Sequence, residues 1–313
     1  MKAKPFRFGV QVSGAGDGAA WAEQARRIEG LGYSTLWVPD HFDAQWGPLV
    51  ALTAAAMATT TLLVGPLVLD NDYRHPAVVA KEMATLDVVS GGRVEVGIGA
   101  GWMRQDYLQN GLKFDPPGVR IQRLAEAVAV VKALWSEPCR AVDFKGIHYS
   151  LDGAVGRPRP VQQPRPLLLM AGGGRRMLSL AAREADIVGF NANLAAGEVG
   201  PEVARQAVAE RFRERVAWVR EAAGDRFDDL ELHCHTFMCM VGADRRQVAE
   251  IMAGPFGVSP GEALEVPIAL VGTVDELCDT LLKRREELGF SYWAIPANAF
   301  EAFAPVVARL AGT

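Results

Sequence analysis

The chain has 313 residues, half of them hydrophobic, with 33 basic and 37 acidic side chains interspersed to a net charge of −4. Such a length buries a large core, as one α/β barrel or as two smaller domains. The balanced charge gives no footprint for nucleic acid or an anionic membrane, and apolar runs such as Val50–Ala58 fall well short of the roughly 18 residues that cross a bilayer.

The N-terminal MKAKPFRFGV runs into a strand-like segment with neither an h-region nor a cleavage site, so no signal peptide is expected. Strands are predicted at Phe6–Val12, Thr35–Pro39, Leu62–Leu69, Val94–Gly99, Leu167–Ala171, Ile187–Asn191, Leu230–Val241 and Tyr292–Pro296. Helices fall between them at Gly18–Leu31, Pro48–Thr59, Pro76–Val89, Ile121–Trp135, Met177–Glu184, Glu202–Ala223 and Val274–Leu288, with a last one near Phe300–Ala311. Leu31-Gly32, Ser90-Gly91-Gly92 and Leu288-Gly289 supply stop signals. Eight such repeats predict a (β/α)8 barrel over residues 1–313, with a doubly wound sheet as competitor. The proline-rich insertion Glu137–Pro166, after the fourth strand and its helix, is expected to be irregular and a candidate lid. A second irregular stretch, Gly254–Leu270, is a further candidate. Cys139, Cys234, Cys239 and Cys278 form no CxxC and lie in apolar settings, as reduced thiols of a cytoplasmic protein do.

Chemistry concentrates where strands end. Asp40-His41 follows the second strand, a carboxylate and an imidazole able to orient a polar ligand and move a proton; the same pair can serve as a helix cap and a structural histidine. Asp70, Asn71, Asp72, Arg74 and His75 crowd the tip of the third strand, although a polar turn alone reads the same way. Gly172-Gly173-Gly174-Arg175-Arg176 combines exposed backbone N–H groups, a helix N-terminus and formal charge, which suits a phosphate; a flexible turn with surface arginines is the alternative. Gly97-Ile98-Gly99-Ala100-Gly101 lacks the third spaced glycine of a dinucleotide fingerprint. Trp46, Trp102 and Trp293, at or just past strand ends, are candidates to line an apolar pocket, with core packing the alternative for Trp293. His233 and His235 share a strand face, but they are predicted near the start of a long strand, at the stability end, with no further ligands in view; no metal site is expected.

In this order the motifs resemble a family. IEGLGYSTLWVPD followed by His41, then DNDYRHP, then ATLDVVSGGRVEVGIGAGW, then the Gly172–Arg176 turn followed by AAREADIV, closely resemble the bacterial luciferase-like superfamily, and within it the oxidoreductases dependent on coenzyme F420. The resemblance implies a barrel with a deazaflavin at its carboxyl end, bounded by Asp40, by a bulge with a non-prolyl cis peptide near Leu67–Asp70 (Val68, Leu69, Asp70, Asn71), by Ala100, and by Gly172, Gly173, Gly174 and Arg175. It implies a proton-transfer role for His41. Related sugar-phosphate dehydrogenases carry a catalytic Glu where Trp102 stands here, which argues for a more apolar substrate. FMN-linked monooxygenases and non-catalytic flavin-binding barrels of the same superfamily are the alternatives, and homodimers are common in it.

Overall fold

The computed structural model describes residues 4–136, 140–198 and 200–313, so Cys139 and the start of the predicted insertion lie outside the described residues. The strands are β1 Arg7–Gln11, β2 Thr35–Val38, β3 Leu63–Pro66, β4 Leu69–Asp70, β5 Glu95–Gly99, β6 Val142–Lys145, β7 Ser150–Ala154, β8 Leu167–Gly172, β9 Ile187–Phe190, β10 Glu231–His235, β11 Met238–Val241, β12 Ala269–Gly272 and β13 Phe290–Pro296. Nine of them form one parallel sheet in the order β3-β2-β1-β13-β10-β9-β8-β5-β4. β3 and β4 are two pieces of a single strand interrupted at Leu67-Val68, and a parallel bridge from Val64 to Val94 joins the ends of the sheet. The result is an eight-stranded parallel barrel, as expected from buried apolar runs that need cover on both faces. The main helices surround it: Gly18–Gly30, Pro48–Ala58, Pro76–Ser90, Pro117–Trp135, Arg175–Glu184, Ala209–Ala223, Val274–Leu288 and Phe300–Leu310. No helix among the described residues is long and apolar enough to cross a membrane.

The lumen is plugged. At its amino end, Arg7 pairs with Glu231 at 2.8 Å and with Glu95, and the Tyr292 hydroxyl donates to Glu95 at 2.6 Å. Above this network, Trp37, Leu67, Leu169, Ile187, Tyr292 and Ala294 pack into one cluster. The Trp37 ring lies 4.9 Å from that of Tyr292 and 5.2 Å from that of His233. Val68 and Ala171 pack on the cluster but stay partly exposed, so they mark where the lumen opens toward the carboxyl rim.

Four elements differ from expectation. The predicted strand Leu230–Val241 is two: β10 stops at His235, and β11 leaves the barrel to pair in parallel with β12. His235 therefore stands at the carboxyl rim, which corrects its placement at the stability end. The stretch Gly254–Leu270 is largely ordered, spanning the end of a helix Arg245–Phe256, a short helix Pro260–Ala263 and the start of β12. Glu202–Ala223 is broken into Pro201–Arg205 and Ala209–Ala223. Within the insertion, β6 and β7 form an antiparallel hairpin. Its tip is tied to the helix Pro117–Trp135, where the Glu126 carboxylate accepts the backbone N–H groups of Ile147, His148 and Tyr149. Tyr149 then receives a hydrogen bond from the Asn71 amide at 3.2 Å. The hairpin thus props the flank of the strand-three turn rather than lying loose.

Candidate active site

Asp40 closes β2 and is 6% exposed, and its carboxylate ties two segments together. It accepts the Asp70 backbone N–H at 3.0 Å and a two-pronged contact from Arg74 at 2.5 and 3.0 Å. Paired prongs of this kind fix direction as well as charge. The non-prolyl cis peptide lies at Leu67-Val68, inside the predicted bulge, and the Gln11 side chain donates to the Leu67 carbonyl at 3.0 Å. Space for the bulge comes from β5. A Cβ on Gly97 would fall 2.1 Å from the Pro66 oxygen and 3.1 Å from a Val68 methyl.

His41 has a partner that sequence reasoning missed. Its Nδ1 lies 2.7 Å from Oδ2 of Asp106, which is 3% exposed and sits on a short helix, Arg104–Gln109. The same carboxylate accepts the Tyr73 hydroxyl at 3.2 Å and the Phe42 N–H at 3.4 Å. A carboxylate only accepts, so Nδ1 carries the hydrogen, and the neutral form of the ring has its lone pair on Nε2. The Trp102 ring meets the imidazole edge-on at 5.6 Å. This is an oriented imidazole beside an indole.

Asp70 sits deeper. Both its oxygens accept the Tyr107 hydroxyl, at 2.8 and 3.0 Å, and Oδ1 also accepts the Asp72 N–H at 2.9 Å. Burial pushes its carboxyl up to about 7; the bonds from Asp72 and Tyr107 oppose the shift, while the charges of Asp72 and Asp40 add to it. Burial and these same acids also raise the Tyr107 and Tyr73 hydroxyls. Arg120, 2% exposed, donates to the carbonyls of Ala100 and Gly101 and so fixes the turn carrying Trp102.

Across the mouth, β8 runs through Ala171 into the triple-glycine turn. Gly173 is packed so closely that a Cβ would fall 2.3 Å from the Ala192 oxygen. Gly174 is the N-cap of the helix Arg175–Glu184 and offers no side-chain cap, leaving the end of the helix dipole for a ligand. The loop after β9 connects this turn to the other side: the Arg104 N–H donates to the Gly197 carbonyl at 3.0 Å. The bulge, the Asp40-His41 pair, the Ala100 turn and the glycine turn therefore share one rim.

Four predicted residues stand elsewhere or act differently. Trp293 is fully buried among the outer core residues, because on β13 it alternates with the lumen-facing Tyr292 and Ala294; it lines no pocket. Leu69 likewise turns its side chain into the outer core, leaving only backbone at the rim. Arg175 is exposed and bound to Glu221 at 2.8 Å. Trp46 packs on Trp21 with ring centres 5.4 Å apart and over Gly14, which makes it a wall of the first loop. His235 joins the rim instead, stacked on Phe237 at 4.5 Å, its imidazole pushed down to about 4 by burial. An open recess of about 350 Å³ flanks the strand-three turn between Asn71, Arg74, Arg123 and Tyr149. No cluster of His, Cys, Asp or Glu suited to a metal ion occurs among the described residues.

A plugged parallel barrel with a polar, histidine-bearing carboxyl rim defines a class of small-molecule α/β-barrel proteins. Within it, the chain belongs to the luciferase-like monooxygenase family, whose model matches residues 3–292. It is similar to the F420-dependent glucose-6-phosphate dehydrogenase of Amycolatopsis mediterranei, with 34% identity over 160 residues, 48% of this chain and 47% of that one. It is also similar to the FMNH(2)-dependent dimethylsulfone monooxygenase of Pseudomonas putida, with 28% identity over 149 residues, 48% of this chain and 39% of that one. The matches thus span about half, or less, of these relatives' lengths. The solved coenzyme F420-dependent tetrahydromethanopterin reductase of Methanopyrus kandleri has a TM-score of 0.76 over 98% of both chains at 19% identity, which shows the shared fold.

Proposed function

We propose that this protein is a cytoplasmic F420-dependent oxidoreductase that transfers a hydride between the deazaflavin and a small organic substrate. The observation that carries the reading is His41, held by Asp106 beside the bulge that Asp40 anchors. The residues fit the cofactor in two respects. Val68 and Ala171 offer open apolar surface to a ring, and the uncapped helix at Gly174 offers N–H groups to a phosphate. When bound, F420 supplies a ring carbon that gives or takes hydride. The chain supplies the rest. Asp40, braced by Arg74, holds the bulge in place as a backstop, and Gly172, Gly173 and Gly174 form the anion seat. His41, through the lone pair on Nε2, takes the proton from a substrate hydroxyl in oxidation, or returns it to a carbonyl oxygen in reduction. Asp106 steadies the imidazolium that forms. Trp102, where related dehydrogenases carry an acid, presents an apolar wall and favours a substrate less polar than a sugar phosphate.

Similarity to an FMNH(2)-dependent monooxygenase supports the second reading, an FMN-dependent oxygenase. Titration with F420 and with FMN separates the two. Tight binding of F420 without oxygen uptake on reduction supports the first, and preferential FMN binding with rapid oxygen consumption overturns it. His41→Ala should lower turnover by about 10²–10⁴-fold while cofactor affinity holds.

A further inference from the structure

The proposed phosphate seat has a peculiarity: its obvious cation points away. Arg175, at the start of the helix, spends its charge on Glu221 at the surface, with both members more than half exposed. A different guanidinium lies against the same turn. Arg215, from the helix Ala209–Ala223, is 2% exposed, and its Nε donates to the Gly173 carbonyl at 3.0 Å. Its Nη1 is buried and finds no hydrogen-bond partner among the described residues. The neighbouring acid, Glu214, pairs instead with Arg211 at 3.1 Å. A buried cation with an unmet donor is costly unless an anion completes it. The nearby uncapped helix start calls for a ligand of the same sign.

We propose that Arg215 supplies the positive charge that would hold the cofactor's phosphate at the triple-glycine turn, acting from behind the backbone while its Nε keeps the turn in place. This rests on the cofactor reading above and adds to it the residue that discriminates phosphorylated from unphosphorylated ligand. Burial lowers the guanidinium only to about 10, so it stays charged at neutral pH. The side chain is a positioning group for the cofactor and touches no reacting atom.

The test uses two ligand pairs: F420 against its ribityl deazaflavin core, which lacks the phosphate and the tail beyond it, and FMN against riboflavin, which lacks the phosphate alone. Affinities are read by quenching of intrinsic tryptophan fluorescence, without turnover. Arg215→Met is expected to weaken the phosphorylated member of whichever pair binds by about 10- to 100-fold, while the phosphate-free member changes by less than about threefold. Arg175→Ala should move neither member by more than about threefold, as for an exposed pair. Equal weakening of both members would make Arg215 a clamp for the turn alone and overturn the proposal, as would no weakening. If Arg215→Met does not fold, Arg215→Lys decides: a reduced phosphate preference supports the assignment and an unchanged preference overturns it. A wild-type protein that binds none of the four ligands refutes the cofactor reading itself. A wild type that prefers the phosphate, with Arg215→Met keeping that preference, refutes only the role of Arg215.

Discussion

Asp106→Asn is the sharpest probe of the rim, because it keeps shape and removes charge. In the wild type, one carboxylate satisfies three donors: His41 Nδ1, the Tyr73 hydroxyl and the Phe42 N–H. An amide has one oxygen and one NH2. If the oxygen faces His41, the NH2 confronts the Phe42 N–H; if it faces Phe42, the NH2 confronts Nδ1 and drives the imidazole to the tautomer with hydrogen on Nε2. Either arrangement loses one bond to a charged acceptor, worth about 1.5–3 kcal/mol. That corresponds to a drop in kcat of about 10- to 150-fold, with cofactor affinity unchanged. The assay is steady-state turnover, followed by the violet absorbance of oxidised F420, on a substrate found from a panel of secondary alcohols, aldehydes and enones. Because Asp106 acts through His41, the His41→Ala/Asp106→Asn double variant should be no slower than His41→Ala alone. A double variant that loses a further factor of ten or more, or an Asp106→Asn enzyme with full turnover, refutes the dyad.

Three further outcomes follow from packing and charge. The folded chain keeps a proton on Asp70 up to about 7, whereas the unfolded chain releases it near 3.8, so this group's contribution to stability falls as pH rises through that window. Asp70→Asn should therefore melt higher than the wild type at alkaline pH, and the advantage should shrink toward pH 4; an advantage independent of pH would contradict the assignment. Gly97→Ala places a methyl 2.1 Å from the Pro66 oxygen, where no flexible side chain can give way. A loss of about 1–3 kcal/mol in chemical denaturation, together with weaker cofactor binding, is expected, and an unchanged unfolding midpoint would argue against it. Arg284, 3% exposed, donates to the carbonyls of Leu264, Val266, Pro267 and Ala269. Arg284→Met should destabilise the protein by about 3–5 kcal/mol, read as a fall in Tm, because the buried acceptors lose their donor.

The barrel was legible because its strands are short apolar runs, and glycine stops mark several helix ends. The break after His235 was not: Thr236, Phe237 and Met238 continue an apolar run, and only the pairing of β11 with β12 shows that the chain has left the barrel. The helix Arg245–Phe256 was hidden by Gly254 and by Pro255, which its last turn accommodates. Asp40, His41 and the Asp70–His75 tip were visible as polar residues at strand ends and the glycine turn by its composition, whereas the bulge with its cis peptide came only with the family resemblance. Asp106 was not, since its partner lies 65 positions away and an acid in a short polar helix looks like ordinary surface. The clue was an acid four residues beyond Trp102, one helical turn past the rim. Arg215 looked like one charge among many on the helix Ala209–Ala223, and only packing distinguishes it from its exposed neighbours. Trp293 was left between pocket and core because alternation along a strand reveals two faces but not which one looks inward.

The stopper of Trp37, Leu67, Tyr292 and Ala294, underlaid by the Arg7 ion pairs, leaves no passage through the amino end of the barrel among the described residues. Under the proposed function, cofactor and substrate would then share the carboxyl rim as their way in. Whichever lies against the floor must enter first and leave last, so the architecture itself imposes a queue.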